Sequence, residues 1–192
     1  MVSIDIDVDP NYGFVKALRN LRNCPHRTMK VDSIAMHIHM DSRGDAKQFL
    51  ECVSSVEGYA SIDIKLCLSA DDEKALLRAL RSIGYNIVPR AISTRIAAMK
   101  RVESGAVIVE RTSKPGTYLL RLARGSRIEI PIPPSTYMVV GPVKDACTSA
   151  QRVAEALEQE FRTIAKALPS AKPVCLFEEE KESERSEAEA RQ

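Results

Sequence analysis

Three segments in the first half of the chain alternate apolar with polar residues, and no other feature of the sequence limits the fold as strongly. In "VSIDIDVD", Val2, Ile4, Ile6 and Val8 alternate with Ser3, Asp5, Asp7 and Asp9. In "SIAMHIHMD", Ile34, Met36, Ile38 and Met40 alternate with Ser33, Ala35, His37, His39 and Asp41. In "SIDIKLCL", Ile62, Ile64, Leu66 and Leu68 alternate with Ser61, Asp63, Lys65 and Cys67. Successive side chains of a strand point to opposite faces, so a period of two marks a half-buried strand. A strand buried on both faces reads instead as a continuous apolar run. The segments therefore predict a sheet with helices on one face, its other face wet or open to a partner.

The intervening stretches read as helices. Asp9 with Pro10 offers an N-cap and a first-turn proline, followed by the stripe Phe14, Val15, Leu18 and Leu21. Ser42 and Asp45 offer the next start, with Ala46, Phe49, Leu50 and Val53 as its stripe and Gly58 as a break. Ser69 precedes a third helix with Leu76, Leu77, Leu80 and Ile83 on one face and Gly84 as its stop. "YNIV" then reads as a strand before Pro89. The order βαβαβαβ with one-sided strands predicts an α+β fold of ferredoxin-like flavour: a mixed sheet with helices on one face.

The second half changes character. After a short helical stretch near residues 92–101 come "AVIVERT", "TYLLRLA", "RIEIPI" and "YMVV", joined by the turn-rich "SKPG", "RGS" and "PPS". This predicts a β-meander, with Pro131 at an edge or at the end of a pairing. A long C-terminal helix follows, its stripe Val153, Leu157, Phe161, Ile164 and Leu168, closed by Pro169 and Pro173. Residues 1–89 and 90–176 read as two subdomains, or as two halves sharing one sheet. From residue 177 the composition is charged and poor in apolar residues, which predicts a disordered acidic tail.

In a chain of 192 residues, 44% hydrophobic content is enough for a sizeable core, and with 5% aromatics that core must be aliphatic. The net charge of +2 conceals a basic middle and an acidic end. The cysteines, Cys24, Cys52, Cys67, Cys147 and Cys175, are odd in number, scattered and without a C-x-x-C pair, which argues against a disulfide framework or structural zinc. No apolar run approaches the roughly 18 residues of a membrane span, and the N-terminus does not read as a secretory signal. A cytoplasmic protein is the expectation.

Three constellations bear on function. His37 and His39 share one strand face, about 7 Å apart along the backbone, a spacing that can serve zinc with Asp5, Asp7 or Asp63 from neighbouring wet faces. The same pattern suits a solvated strand, and no further histidine lies downstream. Asp5, Asp7 and Asp9 form a row that can hold magnesium in phosphoryl transfer, yet alternating aspartates also blunt edge pairing. Finally, Lys100, Arg101, Arg111, Lys114, Arg121, Arg124 and Arg127 form a basic cluster able to neutralise phosphates. P-loop, Rossmann and G-x-S-x-G patterns are missing from the sequence. The sequence thus favours a non-enzymatic accessory subunit or nucleic-acid-associated protein, with no catalytic residues, metal or cofactor assigned. Its partner is expected to be nucleic acid or an acidic protein, with no membrane and with homo- or hetero-oligomerisation open. A metal-dependent hydrolase or nuclease, and a structural homo-oligomer subunit joined through the open sheet face, are the alternatives.

Overall fold

The alternating segments bury one side each, as the periodicity requires. The computed structural model describes residues 2–26, 28–32, 37–103, 105–124 and 137–174. In β1 (Val2–Pro10) and β4 (Gly58–Ser69), Ile4, Ile6, Val8, Ile62, Ile64 and Leu66 enter one apolar cluster. Asp5, Ser61, Asp63 and Lys65 are half-buried on the other face, and Asp7 and Asp9 are exposed there. Between these strands run α1 (Phe14–Arg22), β2 (Thr28–Asp32), β3 (His37–Gly44) and α2 (Ala46–Val53). All pairings are antiparallel, in the order β2-β3-β1-β4. β3 therefore sits between β1 and β2, the split βαβ arrangement of ferredoxin-like sheets.

The alternation missed one strand. β2, "TMKVD", is short and carries only Met29 and Val31 as apolar residues. The strand expected over residues 33–41 starts at His37 and runs on to Gly44; residues 33–36 lie outside the described ones. Helix starts also shift, because strand pairing claims the residues read as caps. Asp9 and Pro10 pair opposite Tyr59 and Gly58, so α1 begins later, with Gly13 at its N-cap. Ser42 pairs with Ile4 and Ser69 with Thr117. The working caps are Asp45 and Asp72, whose side chains accept the Gln48 and Ala75 N–H groups at 3.1 and 3.2 Å, for α2 and for α3 (Glu73–Ser82). Gly58 opens β4 rather than breaking a helix. A Cβ there would lie 2.2 Å from the Asp9 carbonyl oxygen, so only glycine permits this approach of β1.

The second half continues the same sheet. The C-terminal part of β4 pairs with β8 (Thr117–Ala123), followed outward by β7 (Gly105–Arg111), β6 (Ile96–Val102) and the two-residue β5 (Asn86–Ile87). β6 replaces most of the short helix expected near residues 92–101, because its pairing with β7 outweighs local helical preference. β9 (Val139–Pro142) and β10 (Lys172–Pro173) pair with β4. The strand expected at "RIEIPI", with Pro131 and Arg127, and the acidic tail lie outside the described residues.

α4 (Val143–Ala167) is the expected long helix and lies on the apolar side of the sheet. Val143, Ala146, Cys147, Ala150, Val153, Ala154, Leu157 and Ile164 are buried from it. Its Glu160 takes hydrogen bonds from Lys100 Nζ at 3.1 Å and from the Tyr85 hydroxyl at 2.9 Å, tying β6 to the helix layer. The opposite side of the meander is covered too. Val88, Ile96, Ala106, Ile108, Ala123 and Tyr137 form a second, smaller apolar cluster there. β7 is therefore buried on both faces from Ala106 to Glu110.

One expectation about the cysteines is overturned. Cys24, just past the end of α1, and Cys52 in α2 form a disulfide with their Cα atoms 5.6 Å apart. The sequence places them 28 residues apart, with no motif to mark them as partners. The pair meets only because α1 and α2 end side by side. Cys67 and Cys147 are buried outside this bridge, and burial pushes the Cys147 thiol up to about 12.

Candidate functional site: the bare sheet face and its ion ladder

The face of β1, β4 and β9 turned away from the helices carries a regular surface grid. Residues opposite one another on paired strands share a face, so the register defines its rows. Asp9 lies opposite Tyr59, which lies opposite Pro142; Asp7 lies opposite Ser61, which lies opposite Val140. In the next row Asp5 lies opposite Asp63. β1 thus supplies an acidic column, Asp9, Asp7 and Asp5. Tyr59 of β4, Val140 of β9 and the adjoining Met138 supply an apolar one.

The apolar column is open to solvent. Tyr59 is 59% exposed, Val140 72% and Met138 36%. In "YMVV" Tyr137, ahead of β9, enters the second apolar cluster and Val139 the main one, while Met138 and Val140 stay outside. A strand of a one-sided sheet normally presents polar residues outward. Tyr59, Val140 and Met138 in those positions make this face the candidate site for a partner.

Charges near the covered end of this face are paired in a ladder crossing four strands. Lys65 Nζ lies 3.1 Å from Asp5 Oδ2 and 4.0 Å from Asp63 Oδ2. Arg121 of β8 bonds Asp63 and approaches Glu110 of β7 at 3.9 Å, and Arg95 grips Glu110 at 3.2 Å. The Arg121 guanidinium stacks 4.5 Å from the Tyr137 ring centre. Burial and the bond to Glu110 raise the Tyr137 hydroxyl far above its ordinary value, so it stays protonated. Glu110 is among the few buried charged groups, with its side chain only 3% exposed. One oxygen each of Asp63 and Glu110, and the Nε of Arg121, lack a hydrogen-bond partner among the described residues.

The basic cluster read from the sequence is divided by this architecture. Arg121 projects on the face of the second apolar cluster and is spent on Asp63 and Glu110. Lys100 and Arg111 project on the helix side. Lys100 pairs with Glu160; Arg111 Nε lies 2.7 Å from Glu73 Oε1, and its guanidinium donates to the Thr94 carbonyl at 3.2 Å. Arg101 and Arg124 are exposed near the β6–β7 turn. Lys114 sits on the β7–β8 hairpin tip, at the other end of the strands. Arg127 is outside the described residues.

Around Glu73 a second cluster closes a cleft of about 360 Å³ between the start of α3 and that hairpin tip. Arg90 and Arg111 hold the Glu73 carboxylate at 2.8 and 2.7 Å, and Tyr118 donates to it at 3.2 Å. Burial pushes the Glu73 carboxyl up, but hydrogen bonds and charge from Arg111 and Arg90 together hold it below its ordinary value. The Tyr118 hydroxyl is pushed up to about 12 by burial and by the Glu73 charge. This cleft is a structural clamp between α3 and the meander.

For the metal reading, the register sets Asp7 opposite His39 and Asp5 opposite Asp41 as well as Asp63. Asp5 and Asp63 are, however, already neutralised by Lys65 and Arg121. Among the described residues no group of three His, Cys, Asp or Glu side chains stands ready to hold a metal ion. Also among them, no helix is long and apolar enough to cross a membrane. The chain matches no family model, no curated protein and no solved structure. Sequence reasoning named Asp5, Asp7 and Asp63 but missed Tyr59, Val140 and Glu110. The signal for Val140 lay in the unbroken apolar run "YMVV".

Proposed function

We propose that this chain is a non-enzymatic accessory subunit whose partner surface is the bare face of β1, β4 and β9. The observation that carries the reading is the outward exposure of Tyr59, Val140 and Met138 on a sheet whose meander strand β7 is covered on both sides. Binding energy at interfaces concentrates in such apolar and aromatic anchors. Nucleic acid draws less support as the partner. Lys100, Arg111 and Arg121 are engaged by the chain's own carboxylates. Self-association through this face would set one acidic column against another. A metal-dependent hydrolase or nuclease rests on the register of His39 opposite Asp7, and stoichiometric zinc or manganese in the purified protein would replace our reading with it.

The test is photo-crosslinking in the native cell with a photoreactive residue placed at Ser61 or Val140. We expect a discrete adduct of defined mass there and none from the same residue at Lys47, on the helix side. Equal background labelling at all three positions would overturn the reading.

A further inference from the structure

We infer that a groove at the outer edge of the meander binds a small amphipathic carboxylate, an apolar chain or ring that ends in one carboxylate group. This goes beyond the partner face and does not rest on it. The groove encloses about 470 Å³ between β5, β6 and the loop that joins them, a size suited to a small molecule. Register places its side chains. Asn86 of β5 lies opposite Met99 of β6, so the two share a face. Met99 packs against the second apolar cluster, so that face is the one turned away from the helices. Arg101, two residues on, points the same way and is a diagonal neighbour of Asn86, about 7–8 Å off and within reach of a long side chain. Val88 of the same cluster and Pro89 continue the lining. Ile92, 62% exposed, adds an apolar wall. One guanidinium and one amide thus adjoin a surface that is otherwise apolar.

Two observations select the ligand. The first is a free cation. Lys100, Arg111 and Arg121 are each held by a carboxylate, but among the described residues nothing hydrogen-bonds or ion-pairs with Arg101. The described residues that line the groove include no carboxylate, and Glu103, the nearest acid along the chain, is exposed on the β6–β7 turn. A guanidinium fork takes a carboxylate through two parallel N–H···O bonds, and the Asn86 amide adds a donor. The apolar floor beside them favours an acid with an apolar body over an inorganic anion. The second observation is an edge closed to an added strand. The Val88 N–H bonds the Ala97 carbonyl at 3.0 Å, so by alternation Ile87 turns its N–H and C=O outward. The groups that could extend this ladder are taken. The Tyr85 N–H bonds the Leu80 carbonyl at 3.0 Å, Pro89 has no N–H, and the Pro89 carbonyl accepts from Ile92 and Ser93. An extended peptide therefore gains little here, and the occupant is held by its own head group and apolar body.

The experiment titrates the full chain, isotope-labelled in its methionine and isoleucine methyl groups, and reads methyl NMR shifts. Met99→Leu and Ile92→Val assign the two reporters. The probes are octanoate, octanol, octylamine and acetate, each below any micelle-forming concentration. We expect octanoate to shift Met99 and Ile92 saturably, and to bind about tenfold or more tightly than the other three. Arg101→Gln and Ile92→Ser should each weaken it about tenfold, and Arg101→Lys by less, since lysine keeps the charge without the fork. Arg124→Gln, an exposed change near the same turn, should leave it unaltered. Amide hydrogen exchange confirms that each variant keeps its fold. Octanol or octylamine binding as tightly as octanoate would overturn the carboxylate, and acetate doing so would overturn the apolar body. No saturable shift, or indifference to Arg101→Gln or to Ile92→Ser, would overturn the site. A tetrapeptide ending in leucine that binds more tightly than octanoate, and loses this on amidation of its C-terminus, would overturn the small-molecule occupant in favour of a protein C-terminus.

Discussion

The two ends of this one sheet handle charge in opposite ways. In β1 and the first part of β4 the described helices cover one side, and Asp7 and Asp9 on the other side are exposed. In β6, β7 and β8 both sides are covered, and the carboxylate of Glu110 survives there only by gripping Arg95 and Arg121. Taking an ion out of water costs several kcal/mol, and a partner must offset it. A carboxylate is thus exposed at one end and a structural joint at the other. A partner-binding surface can be built where charges stay hydrated, because there they can change partners at little cost.

Substitutions can break this contrast. Glu110→Ala removes a buried carboxylate from beside the buried Arg121 guanidinium, and we expect a loss of about 3–5 kcal/mol in urea unfolding. Asp9→Asn, at the hydrated end, should stay within about 0.5 kcal/mol; equal costs at the two positions would refute the contrast. Replacing Cys24 and Cys52 by Ser together should cost roughly 3–4 kcal/mol, the chain-entropy value for a loop of this length. It should also leave the meander's amide protection ordered as before, since the bridge joins only α1 and α2.

A smaller effect sharpens the comparison at the α3 clamp. Because Glu73 is held below its ordinary value of 4.5, its contribution is complete above that pH and is lost as pH falls through its lower folded value. Glu73→Gln should therefore make the acid-side decline in stability shallower and cost on the order of 1 kcal/mol at neutral pH, since Glu73 is partly exposed. An unchanged acid limb would show that the clamp is idle. Smallest of all, Arg101→Ala with Arg124→Ala should shift stability by less than about 0.5 kcal/mol. Retention on a nucleic-acid matrix should be unaltered by that pair; a steep, salt-dependent loss would restore the basic meander as the functional surface.

Legibility in the sequence followed the strength of local patterning. The one-sided strands β1 and β4, the long helix α4 and the meander could all be read from periodicity, because burial on one side writes itself into alternation. β7 could have been read as buried on both faces, since "AVIVE" carries an apolar run with no alternation. β2 could not, because a short strand leaves too few residues to establish a period. The second helix start was offered at Ser42 with Asp45, and Asp45 caps it; the third cap moved from Ser69 to Asp72 through strand pairing, which local sequence does not encode.

The residues of this chain by themselves determined which side of each early strand is oily, where the long helix runs and how unevenly charge is spread, for these depend on neighbours one to four positions away. Tertiary structure alone decided that Cys24 meets Cys52, that Arg121 is consumed by Asp63 and Glu110, and that Tyr59, Val140 and Asp7 share one open surface. Those outcomes join residues tens of positions apart. They depend on strand order and register, which the free energy of the whole packed sheet selects and no short window of sequence contains.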